Sequence, residues 1–270
     1  MSSGAPKAPQ SPATTPNLNH LRRLILRATR ASGEGHIPSA FSILDILWVL
    51  YDRILRIDPN HPTDDARDRF VLSKGHGALG LYAVLAEKGL FPLAELERFA
   101  TYESPLGGHP DYRQVPGIEA STGSLGHGLP MAVGMALGMR IKGIERRVIA
   151  LVGDAECNEG SIWESALLAS HHSLTALTCI VDHNHSTDRA LRVDDLAAKF
   201  SAFGWFATKI DGHDHEALAA ALSTQHPSQP TAVVAETIKG RGCTAMENDP
   251  AWHHRTPTDD ELAAFLAELA

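Results

Sequence analysis

Val148-Ile149-Ala150-Leu151-Val152 runs straight into Gly153-Asp154-Ala155-Glu156, and this junction governs how the rest of the chain reads. An unbroken apolar run closed by turn formers matches a strand buried on both faces, since a half-exposed strand alternates apolar with polar residues. Thr178-Cys179-Ile180-Val181 and Ala232-Val233-Val234-Ala235 repeat the pattern, and Phe206 to Ile210 adds a weaker strand. Helical spacing over about 160–172 and 214–224 separates these runs. Alternating strands and helices predict βαβ units, hence an α/β fold with a mostly parallel sheet and helices on both faces. Ligands of such sheets bind beyond the carboxyl ends of the strands. Functional residues are therefore expected directly after each run.

Toward the N-terminus, Phe70-Val71-Leu72 reads as another short strand, ending at Lys74-Gly75-His76 and followed by a helix to about Glu87. Asn17 is placed to cap a helix over 18–31, with Leu18, Leu21, Ile25 and Ala28 at helical spacing. Gly33-Glu34-Gly35-His36-Ile37-Pro38 reads as a loop of breakers, with a second helix starting after Ser42 and running through Ile43 to Ile54. Residues 104–127 are Gly- and Pro-rich and too long for an idle connection. Gly128 to Lys142 reads as a helix containing Gly134 and Gly138. Glycine costs about 1 kcal/mol relative to alanine there, which predicts that another backbone packs closely on it. Residues 1–16, rich in Pro, Ser, Ala and Thr, read as a disordered tail, and 17–270 as a single α/β domain. Thr258-Asp259-Asp260-Glu261 is a capping-box start to a last helix.

The 270 residues are 43% hydrophobic and 21% charged with a formal net charge of −8, ordinary for a soluble globular protein. That balance supplies no basic field for nucleic acid or an anionic membrane. The 3 cysteines, Cys157, Cys179 and Cys243, are widely spaced, which argues against a disulfide framework and for a reducing compartment. No apolar run approaches the roughly 20 residues needed to span a bilayer, and the N-terminus lacks a signal-peptide pattern. The expected location is cytoplasmic. The 15 histidines prove nothing by number; their positions matter.

Asp154 follows one predicted strand and Asn184 the next, about one βαβ crossover later, which puts both on one edge of the sheet. A carboxylate and a carboxamide are hard oxygen ligands, suited to Mg²⁺ or Ca²⁺ and poor for zinc. Two side chains leave an octahedral ion short of ligands, so phosphate, a carbonyl or water must complete it. Gly153 and Gly160 let the backbone approach a phosphate, and the helix after Gly160 points free N–H groups toward it. On spacing alone, a metal-bridged diphosphate site and a plain helix cap plus turn residue are equally good readings.

Gly153-Asp154, Glu159-Gly160, a helix and Asp182-x-Asn184 resemble the thiamine-diphosphate signature, and Trp163-Glu164-x-Ala166 makes the version similar to the transketolase family. The resemblance implies that Asp154, Asn184 and the backbone carbonyl of Ser186 hold Mg²⁺, with Ca²⁺ or Mn²⁺ as substitutes, against the diphosphate of thiamine diphosphate. It also implies cofactor contacts from Gly153, Ala155, Glu159, His76 and the loop Thr122-Gly123-Ser124-Leu125-Gly126-His127-Gly128, where His127 replaces the common Gln. Gly35-His36, the run Arg69 to His76, Gly108-His109-Pro110 and Trp252-His253 resemble four further family signatures in family order. They imply catalytic roles for His36, His76, His109 and His253, although His254 makes the choice at the last one less clear. Imidazole, with a pKa near 6.5, suits the removal and return of a hydroxyl proton. Two departures stand out. Ala155 occupies a usual glycine position, which costs roughly 1 kcal/mol or more if the backbone there needs φ > 0, and His185 sits where a small residue is common.

Full-length members of this family continue into a second domain, which supplies the glutamate that activates the cofactor. The chain's length resembles the first subunit of bacterial split transketolases. The expectation is therefore a transferase of two-carbon ketol units, active only with a C-terminal transketolase-like subunit that brings the pyrimidine-binding domain and activating glutamate. Two copies of each chain and a small ketose or 2-oxo-acid substrate complete that expectation, with Glu159 and Glu164 near subunit contacts. The alternatives are a related ketol or acyl transferase of specialised metabolism, the α chain of a 2-oxo-acid dehydrogenase first component, and a non-catalytic binding subunit.

Overall fold

A computed structural model describes residues 17–270, so the tail expected over 1–16 lies outside the described residues. Five strands, β1 (Arg69–Leu72), β2 (Val148–Gly153), β3 (Leu177–His183), β4 (Phe206–Asp211) and β5 (Thr231–Glu236), form one sheet in the order β1-β2-β3-β5-β4. Every neighbouring pair is parallel. The helices are α1 (Asn19–Ser32), α2 (Ile37–Val49), α3 (Ala78–Glu87), α4 (Gly128–Ile141), α5 (Gly160–His171), α6 (Leu196–Ala202), α7 (His215–Ser223) and α8 (Asp259–Glu268).

Alternate strand residues feed two cores, as the two-residue side-chain period of a strand requires. Phe70, Leu72, Ile149, Leu151, Ile180 and Val233 pack with residues of α1, α2, α3, α7 and α8. Val71, Val148, Ala150, Val152, Val181 and Val234 pack with residues of α4, α5 and α6. The central strands β2 and β3 are buried from end to end, which is why they carry no polar alternation. The expected α/β architecture with both faces covered is the one observed.

Several local expectations shift. The second helix starts at Ile37, before Ser42, because Pro38 falls in its first turn, where its missing N–H has no partner to lose. Asn17 is not the cap of α1: Leu18 holds that position without a side-chain bond, and Asn17, one residue earlier, accepts the Asn19 N–H at 2.9 Å through its Oδ1. Asp182 and His183 lie inside β3 and do not follow it. Among the described residues, nothing outside the neighbouring backbone of α4 itself lies within 4 Å of where a Cβ would stand on Gly134 or Gly138, so no packed backbone there explains them. The close approach occurs at Gly80 of α3, where an added Cβ would lie 3.0 Å from the Ala40 carbonyl of α2.

Candidate active site

Gly153 is paired with Asp182 at the carboxyl ends of β2 and β3, so Asp154 and Asn184 emerge side by side from neighbouring strands. Both side chains are buried. The Asn184 amide donates to Ser42 Oγ of α2 at 3.1 Å and to Asp182 Oδ2 at 2.9 Å, which fixes the direction of its carbonyl oxygen. That oxygen accepts the Ser186 N–H at 3.1 Å. Ser186 Oγ in turn donates to Asp154 Oδ1 at 3.1 Å, and the Ala155 N–H donates to the same oxygen at 2.8 Å. Asp154 Oδ2 is buried with no hydrogen-bond partner among the described residues. Leaving such an oxygen unpaired is costly. Burial, and then the negative charge of Asp182, pushes the Asp154 carboxyl above its ordinary range. A bound cation would remove both penalties, so the donor set fits a hard divalent ion.

Asp154 opens into a cavity of about 280 Å³ shared by Asn184, Ser186, His36, His76 and His253. The His36 ring lies 5.4 Å from that of His76, 5.2 Å from His253 and 4.7 Å from His254. Burial, reinforced by the neighbouring imidazoles, holds His36 down at about 4. Burial and the charge of Lys74 hold His76 at about 2. Burial and Lys239 also lower His253. At neutral pH His36, His76 and His253 are thus unprotonated along one wall of the cavity, able to hydrogen-bond a substrate hydroxyl, with the deep depression of His76 making it a poor proton acceptor.

Two buried lysines join them, and sequence reasoning gives neither a role. Lys74 forms an ion pair with fully buried Asp182, which also accepts from Ser42 Oγ at 2.7 Å and from Thr237. Burial alone would raise the Asp182 carboxyl, but Lys74 and these donors hold it low. Lys239 Nζ lies 3.2 Å from His253 Nδ1, and burial followed by the charge of Lys74 lowers its pKa. The available signal is position, for Lys239 comes after the carboxyl end of β5 as Asp154 comes after β2. Glu156 is a third residue that the motifs do not single out. Its carboxylate accepts the Gly126 N–H at 2.9 Å and the Gly153 N–H at 2.8 Å, tying the loop before α4 to the end of β2.

The remaining candidates separate into those at the cavity and those away from it. Leu125, Gly153 and Ala155 line it. Gly123 sits beside exposed His109, whose ring an added Cβ would meet at 3.1 Å. The 122–123 backbone lies against the Lys74-Gly75-His76 turn so closely that a Cβ on Gly75 would reach the Thr122 carbonyl at 2.8 Å. Ser124, Glu159 and Glu164 are exposed and line none of it, Glu159 packing on Gly126 instead. Ala155 is absent from the residues with positive φ and lies in a 3-10 turn, so the alanine carries no left-handed strain and only its methyl intrudes. His185 does have φ of 59°. Its ring turns away from Asp154, toward Asp188 and Glu236.

The family model described as transketolase, thiamine diphosphate binding domain, matches residues 14–269. The chain belongs to this family. Among curated relatives, one of the subunits of the apulose-4-phosphate transketolase of Actinobacillus succinogenes is 38% identical over 254 residues, covering 92% of this chain and 92% of that one. Ferredoxin fas2 of Rhodococcoides fascians is 47% identical over 207 residues, covering 76% of this chain and 68% of its own length. Among solved structures, the transketolase of Campylobacter jejuni superposes with a TM-score of 0.87 at 27% identity over 94% of this chain. This chain spans 42% of that transketolase. No helix among the described residues is long and apolar enough to cross a membrane.

Proposed function

We propose that this chain is the cofactor-binding subunit of a two-chain, transketolase-like enzyme that transfers two-carbon ketol units with thiamine diphosphate and Mg²⁺. The observation that carries the reading is the unpaired, buried Asp154 Oδ2 beside Asn184, at adjacent strand ends and open to a histidine-lined cavity. Asp154, Asn184 and the Ser186 carbonyl would hold the ion, with Ca²⁺ or Mn²⁺ as substitutes. Lys74 and Lys239 place positive charge where a diphosphate enters. When bound, the cofactor supplies the electron sink that allows a carbon–carbon bond beside a hydroxyl to break.

The chain's own residues handle protons and position. His36 and His253, held neutral at pH 7, accept the hydroxyl proton, and neutral His76 hydrogen-bonds the developing oxyanion. His109, beside Gly123 at the rim, orients the donor substrate. A partner chain supplies the pyrimidine-binding domain and the activating glutamate, in an assembly with two copies of each. Its docking is supported by the outward side of α4 and α5, where Ile141 is 83% exposed and Leu167 is 62% exposed, and where Gly134 and Gly138 have open space above them. The relative named as a transketolase subunit, covered over 92% of its length, supports the same division. The reading places the protein in the cytoplasm.

Calorimetric titration of thiamine diphosphate with Mg²⁺ onto the chain and its partner tests it. Saturable binding that requires Mg²⁺, and activity of the pair on ketose phosphates above 2-oxo acids, is the expected result. Binding indifferent to Mg²⁺ would defeat the metal assignment, and activity on 2-oxo acids alone would transfer the chain to the dehydrogenase reading.

A further inference from the structure

Behind the cofactor cavity, on the α6 side of the segment 182–186, a second group of metal-ligating side chains has no part in the chemistry above. His183 Nδ1 lies 2.7 Å from Glu236 Oε1, and His185 Nε2 lies 2.9 Å from Glu236 Oε2. The two imidazole centroids are 4.1 Å apart. One ligand atom from each of His183, His185 and Glu236 falls within 4.8 Å of the others. They face a hollow of about 420 Å³ beside α6.

We propose that His183, His185 and Glu236 form a binding site for a borderline transition-metal cation, of which Zn²⁺ is the natural probe. Two imidazole nitrogens and one carboxylate oxygen are a zinc-type set, with a fourth position left for water. The spacing suits it, because ligand atoms at about 2.0 Å from a tetrahedral ion stand roughly 3.3 Å apart. The two imidazole contacts, made to different oxygens of Glu236, lie about half an ångström inside that spacing, and the three ligand atoms all fall within 4.8 Å of one another, so small side-chain rotations bring them to it.

Preorganisation distinguishes this group from a casual cluster. His183 and Glu236 are register partners in the β3–β5 ladder, so two ligands stand on strand ends, His183 buried and Glu236 half-buried. The third, His185, is fixed by a left-handed backbone and by Asp188 Oδ2 at 3.1 Å from its Nδ1. A carboxylate on the outer nitrogen is the arrangement that orients a metal-bound histidine. Lys209 Nζ, 2.8 Å from Glu236 Oε1, opposes a cation, but its side chain is 57% exposed and can swing to solvent. Because His183 and His185 bracket Asn184, an ion here would pin the segment carrying Asn184 and Ser186. Metal binding itself does not depend on the cofactor reading.

The test is Zn²⁺ titration of the whole chain against a chromophoric chelator, in excess Mg²⁺ and without thiamine diphosphate. A single tight Zn²⁺ is expected, weakened more than about 100-fold by His185→Ala or Glu236→Gln and about 10- to 100-fold by Asp188→Asn. His253→Ala, which alters the other imidazole cluster, should leave it unchanged. Co²⁺ bound to the unmodified chain should show tetrahedral absorption that disappears in His185→Ala. Circular dichroism checks that each variant folds, and His185, at the surface, tolerates truncation. No tight Zn²⁺, or a tight site that survives both His185→Ala and Glu236→Gln, overturns the proposal.

Discussion

On the α2 side of segment 182–186 stand buried Asp154 and Asn184 with exposed Ser186, offering oxygen ligands, one carboxylate atom of Asp154 having no partner among the described residues. On the α6 side stand His183, His185 and Glu236, offering nitrogen and oxygen, half-open, with their polar atoms already joined to one another. The strand pleat sends Asp182 and His183 to opposite faces at the end of β3, and just beyond it the left-handed backbone of His185 accompanies the turn of its ring toward Glu236. A hard cation has reason to enter the first set, where it meets an unpaired buried charge, and a softer one the second, where imidazoles are preoriented. One short segment thus presents two coordination chemistries through neighbouring residues.

That contrast can be broken most forcefully at Asp154. Asp154→Ala should weaken Mg²⁺-dependent thiamine diphosphate binding by more than about 100-fold, the scale for removing one partner from a buried charged site. Zn²⁺ affinity should stay within about threefold, because the two sets share no ligand. Parallel loss of both would mean that the segment acts as one unit. His109→Ala should lower turnover of the complex by about 10- to 100-fold while calorimetry shows cofactor affinity unchanged. Weakened cofactor binding in that variant would move His109 from substrate to cofactor.

Acid provides a gentler test. The unfolded chain protonates its histidines near pH 6.5, whereas folded His36 waits until about 4 and His76 until about 2. Below pH 6.5 the unfolded state therefore binds more protons, and stability falls as pH drops toward 5. Thermal melting of His76→Gln across pH 7 to 5 should show a shallower fall than the unmodified chain, while equal slopes would place His76 in an open, solvated setting. The smallest effect is expected at Ala155. Its backbone is ordinary, so Ala155→Gly should lower stability by about 0.5–1 kcal/mol through chain entropy, or Tm by roughly 1–4 °C. A rise in Tm would show strain relieved.

These outcomes rest on features that differ in how openly the sequence displays them. The strands β2, β3 and β5 are legible because burial on both faces leaves unbroken apolar runs. Asp154 and Asn184 are legible because neighbouring parallel strands deliver their next residues to one edge. Lys74 and Lys239 are not, since nothing in their spacing says that long cationic side chains are buried beside Asp182. Pro38 reads as a breaker from its type alone, and only its place in the first turn of α2 makes it harmless. Gly134 and Gly138 signal close packing, but a sequence cannot say whether its own chain or another one relieves them. His185 stands out as a departure at the cofactor loop, and its turn toward Glu236 depends on a ladder between distant strands.

The most direct test is anomalous diffraction from crystals of the complex grown with thiamine diphosphate and Mn²⁺ in place of Mg²⁺. A single strong peak between Asp154 Oδ2 and Asn184 Oδ1, with the Ser186 carbonyl and diphosphate oxygens completing its shell, is predicted. A cofactor bound with no ion at that position, or an ion held by other residues, would contradict the account.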